Sequence, residues 1–520
     1  MRLPYLLILA MILSACNKQP QETSTTTSTE SSHAMPSTFR DSERVAKIKT
    51  FLPAVDGIFE SHFKKGHFPG MSYAIIVDGQ MVHAKAFGIA DIKMMTPATT
   101  QTAFRIASMT KSFTALSILK LRDEGKLSLS DPVSKYIPEM AKVKNFTSDA
   151  PVITIEHLLT MSAGFPEDNP WGDRQLADTD EELLALIKQG ISFSNVPGTE
   201  FEYSNLGFGM LGRIVSAVAG KPYEQYINEN ILKPLGMNDS KWEYTEYAKE
   251  KFAPGYRWED DQWKEEPILH DGIFGAMGGL ICSAEDFAKY VALHLSAWPP
   301  RDGDESPVAK RSTLREMQQL QRLGGFFAQA KNSKGEPCPT LTGYGYGLGY
   351  RKDCSGIVSV RHGGGLPGYG SEWRFYPELG IGIVSLSNLT YGGMGGANFR
   401  ALDTLITLAK LQPRILPASA ILEQRKKEIQ DLLSEWPQDK LGIFAENFFL
   451  DQSVDARKKE AGNILAQAGK ILSVGEMMPE NQLRGTYIIE GEQKDIAVFF
   501  TLTPEATPLV QQLDLTLVDK

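Results

Sequence analysis

Strand-like runs stand at both ends of a long helix-patterned middle, and this arrangement most restricts what the chain can fold into. Met71 to Val77 (MSYAIIV), Asp78-Gly79 and Met81 to Phe87 read as a β-hairpin, because Asp-Gly suits the positive φ of a tight turn. Four further strand-like runs follow residue 340: Gly345–Tyr350, Gly356–Arg361, Ser371–Tyr376 and Ile381–Ser387. Between them the apolar residues recur at helical spacing. Ser108 to Glu124 carries Phe113, Leu116, Leu119 and Leu121 and stops at Gly125. Similar patterns occupy Ile155–Met161, Asp180–Lys188, Leu206–Ala219, Tyr223–Ile231 and Ala284–Leu295. The expected fold is therefore α+β, with one sheet assembled from both ends of the chain and flanked by helices, and with a large helical subdomain inserted between.

A boundary is expected near Pro413–Pro417. Beyond it Ser419 and Ser453 can each cap a helix, the second running to Gly469, and Gly485–Ile489, Ile496–Thr503 and Gln511–Val518 read as strands. Residues 418–520 are expected to form a small C-terminal α+β module. At the other end, Met1-Arg2 precedes an apolar run from Leu3 to Leu13, too short to span a bilayer as a helix, and Leu13-Ser14-Ala15-Cys16 follows. This segment resembles a bacterial lipoprotein signal, which implies cleavage before Cys16 and lipidation of its thiol. Asn17 in the next position implies outer-membrane retention in enteric-type bacteria. Residues 17–42 include TSTTTSTESS, lack large apolar side chains, and are expected to be a flexible tether. The expected organisation is 1–16 signal and lipidated cysteine, 17–42 tether, 45–405 main domain and 418–520 accessory module. The main body would sit in the periplasm of a Gram-negative bacterium, held to the membrane by its N-terminal lipid.

Composition excludes several classes. Of 520 residues, 42% are hydrophobic and 22% charged, which is a globular balance. The 54 Lys and Arg against 63 Asp and Glu give a net charge of −9, without the basic surplus of a nucleic-acid binder. Four cysteines are too few for a disulfide scaffold. Cys282 lies in a small-residue apolar stretch and reads as a buried thiol. Cys338 and Cys354 flank TGYGYGLGY, which reads as a strand; an exported compartment permits a disulfide between them and leaves a pair of free thiols equally open. The eight histidines are scattered without zinc-ligand spacing, and neither a phosphate-binding loop nor a G-x-S-x-G elbow occurs. No metal or cofactor is expected.

Three features can carry chemistry. A serine becomes a nucleophile when a base accepts its proton and donors await the oxyanion, and Ser-x-x-Lys on a helix places an amine beside a hydroxyl. The chain holds three such pairs, Ser61–Lys64, Ser108–Lys111 and Ser117–Lys120, where about two are expected by chance. The last lies about half a turn round the helix from the second, so both cannot face one site. Ser108–Lys111 is set apart by the apolar lead-in Phe104-Arg105-Ile106-Ala107 and the helix behind it. Tyr203-Ser204-Asn205 offers a phenol and a carboxamide on a loop before a new helix. A second copy, Tyr226-Ile227-Asn228, lies inside a helical pattern and reads as packing. His362-Gly363-Gly364-Gly365 leaves a strand, and its glycines allow backbone to approach a ligand closely.

SMTK, YSN and HGG stand in the order of the active-site motifs of penicillin-recognising serine hydrolases. Their surroundings resemble the class C β-lactamase-related branch: ITIEHLLTMSAGFP, the block from PGTEFEYSNLGFGMLG to ILKPLGM, GAMGGLICSAEDFAKY and HGGGLPGYGSEW, over roughly 45–405. The resemblance implies a β-lactamase/transpeptidase-like fold and hydrolysis of an amide or ester through an acyl-serine. It implies Ser108 as the nucleophile, activated by Lys111 held neutral or sharing a proton with Tyr203. Tyr203 would protonate the leaving group, Asn205 would orient substrate or lysine, and the N–H groups of Ser108 and Gly365 would form the oxyanion hole. Gly364, beside them, and His362 would bind substrate. One departure matters: penicillin-active members usually carry a lysine where this chain has His362, whereas histidine occurs in related peptidases and esterases of the branch, and a histidine is cationic mainly below a pH of about 6.5. The substrates implied are small molecules or peptides, namely D-alanyl peptides, esters or β-lactams. The competing expectation is a non-catalytic envelope protein that keeps the fold for binding.

Overall fold

The computed structural model describes residues 35–332 and 335–520. The signal-like segment, Cys16 and most of the tether lie outside the described residues. Nine antiparallel strands form the main sheet. Three come from the N-terminal part: β1 (Gly70–Val77), β2 (Gln80–Asp91) and β3 (Thr96–Pro97). Six come from beyond residue 320: β4 (Arg322–Phe327), β5 (Thr340–Tyr344), β6 (Gly349–Lys352), β7 (Val358–Leu366), β8 (Tyr369–Tyr376) and β9 (Ile381–Ser387). Their order is β3-β2-β1-β9-β8-β7-β6-β5-β4. The ends of the chain meet where β1 pairs with β9, Met71 opposite Ser387 and Val77 opposite Ile381. The β1–β2 hairpin turns at Asp78 and Gly79 with φ of 50° and 79°, the double positive φ that Asp-Gly accommodates.

Every residue of β1 and β9 is buried, because helices cover both faces of the sheet and a strand between two layers reads as an unbroken apolar run. Alternate side chains divide between the two cores. Met71, Tyr73, Ile75 and Val77 pack with the helices α1 (Leu52–Lys65) and, near the end of the domain, Gly395–Leu408. Ala74 and Ile76 face the helical middle, whose main elements are α2 (Lys111–Asp123), α3 (Asn205–Ala219) and α4 (Ala284–Ser296). Among the described residues no helix is long and apolar enough to cross a membrane.

Two local expectations are corrected. TGYGYGLGY is not one strand but the end of β5, a turn and the start of β6, with Gly347 at φ 68°. A Cβ on Gly347 would stand 2.9 Å from the Lys111 carbonyl oxygen, so the glycine lets this turn press onto α2 behind the lysine. The edge strand β4 was not legible, because RLGGFF lacks the alternation of a half-buried strand. Cys338 and Cys354 are disulfide-bonded, and Cys282 is a buried free thiol.

The C-terminal residues build a separate core. Ser419 and Ser453 cap the helices Ala420–Leu432 and Val454–Ala468, their hydroxyls accepting from the N–H groups of Leu422 and Ala456. These helices pack on a five-stranded antiparallel sheet containing the three expected strands and two short ones, Ile471–Val474 and Met478–Asn481. The N-terminal segment joins the link to this module, Thr38 pairing with Ile415.

Candidate active site

Ser108 lies in a single 3-10 turn, Ala107–Thr110, that leads directly into α2, so its hydroxyl stands one turn before Lys111. Ala107 has φ 51°, a left-handed conformation unusual for a residue with a Cβ, and it turns the chain sharply just before the serine. The turn is held from three sides. Ile106 N–H donates to Leu280 O at 2.9 Å, Thr114 Oγ1 donates to Ala276 O at 2.6 Å, and Ser371 Oγ on β8 donates to Ile106 O at 2.7 Å.

Lys111 is completely buried, yet among the described residues no carboxylate bonds its amine. Nζ lies 2.6 Å from Asn205 Oδ1, 2.9 Å from Met277 O and 3.0 Å from Ser108 Oγ. Asn205 presents its oxygen because its Nδ2 donates to Asn169 Oδ1 at 3.2 Å. A neutral amine fits this set of partners. Two N–H bonds go to the acceptors Asn205 and Met277, and the lone pair is left for the Ser108 hydroxyl. Burial lowers the Lys111 pKa to about 7, against the opposing pull of Asp173 and Asp168.

Those two carboxylates come from the segment 165–173, which sequence reasoning did not single out. Asp168 caps α3: its oxygens accept from the N–H groups of Asn205 at 2.6 Å and Leu206 at 2.9 Å. Burial nonetheless raises its pKa. Asp173 is 2% exposed, accepts from Tyr391 Oη at 3.0 Å, and has its pKa pushed by burial to about 6. The one sequence signal for Asp168 is an acid before Asn-Pro, common at helix starts; Asp173 carries none.

The Tyr203 ring centroid lies 4.9 Å from Lys111 Nζ. Burial raises its pKa above the ordinary value, so the phenol keeps its proton while Lys111 gives one up. Burial thus moves the two groups in opposite senses, toward a neutral amine and a protonated phenol.

His362 departs from expectation. Burial, with the Lys111 charge adding to it, lowers its pKa to about 3, so it is neutral throughout the range in which a surface histidine would titrate. Both ring nitrogens are engaged. Nδ1 donates to Gly363 O at 2.6 Å, and Nε2 accepts from Tyr344 Oη at 2.8 Å. The expected cation below pH 6.5 is therefore absent: His362 orients Tyr344, a residue the sequence did not flag. Gly364 also has a packing role. A Cβ there would stand 2.3 Å from Ile106 O, so the missing side chain lets β7 lie against the turn before Ser108. The β6–β7 pairing stops at Arg361, which leaves the edge of residues 362–366 facing that turn without a strand beside it.

The other pairs fall away. Ser117 Oγ donates to Phe113 O at 2.9 Å and Lys120 Nζ donates to Pro307 O at 3.1 Å; Lys64 pairs with Glu60 on the surface. Tyr226 is buried and Asn228 accepts from the Trp242 indole, as packing residues do. A cavity of about 270 Å³ opens beside Tyr203 and His362, with Phe201, Tyr344, Tyr350 and Arg361 in its wall.

Known proteins resemble this chain in sequence and in fold. The family model described as Beta-lactamase matches residues 55–406. Protein flp of Staphylococcus aureus (strain MW2) is 31% identical over 341 residues, covering 64% of this chain and 62% of that protein. The chain thus spans less than two thirds of the length of this relative. Esterase EstB of Burkholderia gladioli is 28% identical over 369 residues, covering 66% of this chain and 91% of the esterase. The octameric penicillin-binding protein homologue from Pyrococcus abyssi shares the fold, with a TM-score of 0.55 and 24% identity over 90% of this chain and 98% of that one. The penicillin-binding protein from Bacillus halodurans has a TM-score of 0.53 and 23% identity over 66% of this chain and 99% of that one.

Proposed function

The chain belongs to the Beta-lactamase family, and from that premise we propose that it is a serine hydrolase that opens esters through an acyl-Ser108 intermediate. The observation that carries the reading is the amine of Lys111, buried, bonded to two acceptors and open toward Ser108. Neutral Lys111 takes the Ser108 proton as Oγ bonds to the substrate carbonyl carbon. The N–H groups of Ser108 and Gly365 receive the oxyanion. As the tetrahedral adduct collapses, the ester C–O bond breaks, Tyr203 donates its proton to the leaving alkoxide and recovers one from the Lys111 ammonium. Water then attacks the acyl carbon, Lys111 takes its proton, and the acid leaves as Ser108 regains its own.

An ester is favoured over a substrate with a free carboxylate because the third motif supplies no cation: His362 is neutral and both its nitrogens are occupied. The aromatic cavity beside Tyr203 suits the leaving alcohol. The similarity to an esterase from Burkholderia gladioli supports the same choice. One observation favours a second reading, a D-amino acid peptide or β-lactam: Arg361 lines the cavity and can meet a carboxylate. We further propose a periplasmic location with lipid attachment at Cys16, on the strength of Leu3–Leu13 and Leu13-Ser14-Ala15-Cys16.

The test is hydrolysis of p-nitrophenyl esters, a D-alanyl-D-alanine peptide and nitrocefin, with labelling by a fluorophosphonate. Ester turnover and labelling that both vanish in Ser108→Ala are expected. Turnover that survives the substitution refutes the mechanism. Preferential cleavage of the peptide or nitrocefin moves the assignment to the second reading, and inertness toward all probes leaves a binding protein.

A further inference from the structure

The loop after β9 sends one aromatic side chain across the site. Tyr391 has φ 50°, and its N–H donates to both Leu366 O at 3.3 Å and Tyr369 O at 3.1 Å, which fastens it to the turn between β7 and β8. Its ring lies over Gly365: a Cβ on that glycine would stand 2.8 Å from Tyr391 Cδ1. From there the phenol reaches the helical subdomain, donating to Asp173 Oδ2 at 3.0 Å. Arg174, on the surface, places its charge near the same phenol. Asp173 follows Gly172, where a Cβ would meet that of Asn205 at 2.7 Å, so the acceptor sits on the turn packed against the residue that holds Lys111. Among the described residues Asp173 Oδ1 is buried without a partner, and Tyr391 itself is 46% exposed. A strained, half-exposed tyrosine therefore connects the two halves of the protein at one end of the groove.

The direction of that end follows from β7. The cavity beside Tyr203 adjoins Arg361 to Gly363, and Gly364 lies against the turn that carries Ser108. Gly365 is next, about 10 Å along the strand from His362 at 3.3 Å per residue. If Tyr203 protonates the leaving alcohol, that alcohol lies on the cavity side of the scissile carbon. The acyl chain then projects the other way, toward Gly365.

We propose that Tyr391, held by Asp173, is the specificity-determining residue that closes the acyl end of the groove and restricts the enzyme to short acyl chains. This rests on the hydrolase reading above. A long acyl chain would have to displace the ring from Gly365 and break the bond to a buried carboxyl, whereas an acetyl or propionyl group stops short of both.

The experiment measures kcat/KM for p-nitrophenyl esters from acetate to octanoate, so that only the acyl arm changes. In parallel it measures labelling rates with fluorophosphonates bearing short and long alkyl arms. The wild type should favour acetate to butyrate. Tyr391→Ala should raise the octanoate-to-acetate ratio at least about 10-fold and the long-to-short labelling ratio in step. Tyr391→Phe keeps the ring but frees it from Asp173 and should shift both ratios part of the way; it also serves if the alanine variant melts early. Ratios unchanged within twofold in a folded Tyr391→Phe and Tyr391→Ala would overturn the proposal while leaving the hydrolase reading intact. A wild type that neither turns over nor labels would overturn the hydrolase reading and this inference with it.

Discussion

Replacement of Gly364 by alanine tests whether the distance between β7 and the nucleophile turn controls activity. The added Cβ would lie 2.3 Å from Ile106 O, 2.3 Å from Ser371 Oγ and 3.0 Å from the Ala107 Cβ. Against an ordinary contact of 3.4 Å this leaves a deficit of about 1.1 Å. The serine hydroxyl can rotate, at the loss of its bond to Ile106 O, but the Ile106 carbonyl is backbone, on a residue whose own N–H is tied to Leu280 O. The strand or the turn must therefore move by about 1 Å, and Ser108 or the Gly365 N–H moves with it. A displacement of that size costs about 100-fold in rate, and overpacking costs about 1–3 kcal/mol in stability. The strand supplies its own control. A Cβ on Gly363 meets nothing closer than Ser371 O at 3.9 Å, so Gly363→Ala should keep near-normal turnover. kcat/KM on p-nitrophenyl acetate, with thermal melting of both variants, decides the matter. A Gly364→Ala protein within threefold of wild type, or a Gly363→Ala protein equally impaired, would refute the close-approach argument.

The pH dependence separates Lys111 from His362. Lys111 must be neutral to accept the Ser108 proton, so kcat/KM should fall as pH drops through about 7 and level off above it. His362 is already neutral across that range, so His362→Gln should lower the rate through loss of the Tyr344 contact yet leave the limb in place; disappearance of the limb would make His362 the titrating group. The Cys338–Cys354 bridge closes a loop with a sequence separation of 16, so Cys354→Ser should destabilise the protein by about 3 kcal/mol, read as a lower melting temperature that added reductant does not lower further. Equal melting of oxidised wild type and the variant would show that the bridge contributes nothing.

What could be read from the residues depended on whether the signal was local. The Asp78-Gly79 turn, the Ser419 and Ser453 caps and the apolar spacing of α2, α3 and α4 are each set by neighbours a few positions away, and each is found where the pattern places it. The motifs around Ser108, Tyr203 and His362 were legible because their residue types and order match a known pattern. The surroundings that tune them were not. Met277 contributes a carbonyl oxygen, which any residue would offer, and Asp173 acts on Lys111 only through the fold. The state of His362 was misjudged for the same reason, since a histidine's pKa is set by burial and partners rather than by its neighbours in the chain. TGYGYGLGY looked like a strand because its alternating glycines and tyrosines mimic period two, whereas Gly347 is needed for a turn against α2.

The wiring of the sheet adds a consequence for how the site comes into being. Lys111 draws its partners from positions 108, 205 and 277, and the turn that carries Ser108 is locked by Ser371, 265 residues further on than Ile106. The strands that bring Ser371 and the glycines of β7 into place depend on the β1–β9 pairing, which joins residues 71–77 to residues 381–387. Neither the helical middle nor the C-terminal strands alone can assemble the catalytic geometry. The helical middle can bring Lys111 to Asn205 and Met277, so the amine can be desolvated early, but nothing there sets the distance from Ser108 to an oxyanion donor. That distance is set only when the two ends of the chain close the sheet, through contacts of high sequence separation that form slowly. Damage to the β1–β9 seam, far from any reacting atom, should therefore show first as lost turnover with Lys111 still buried, and only then as unfolding.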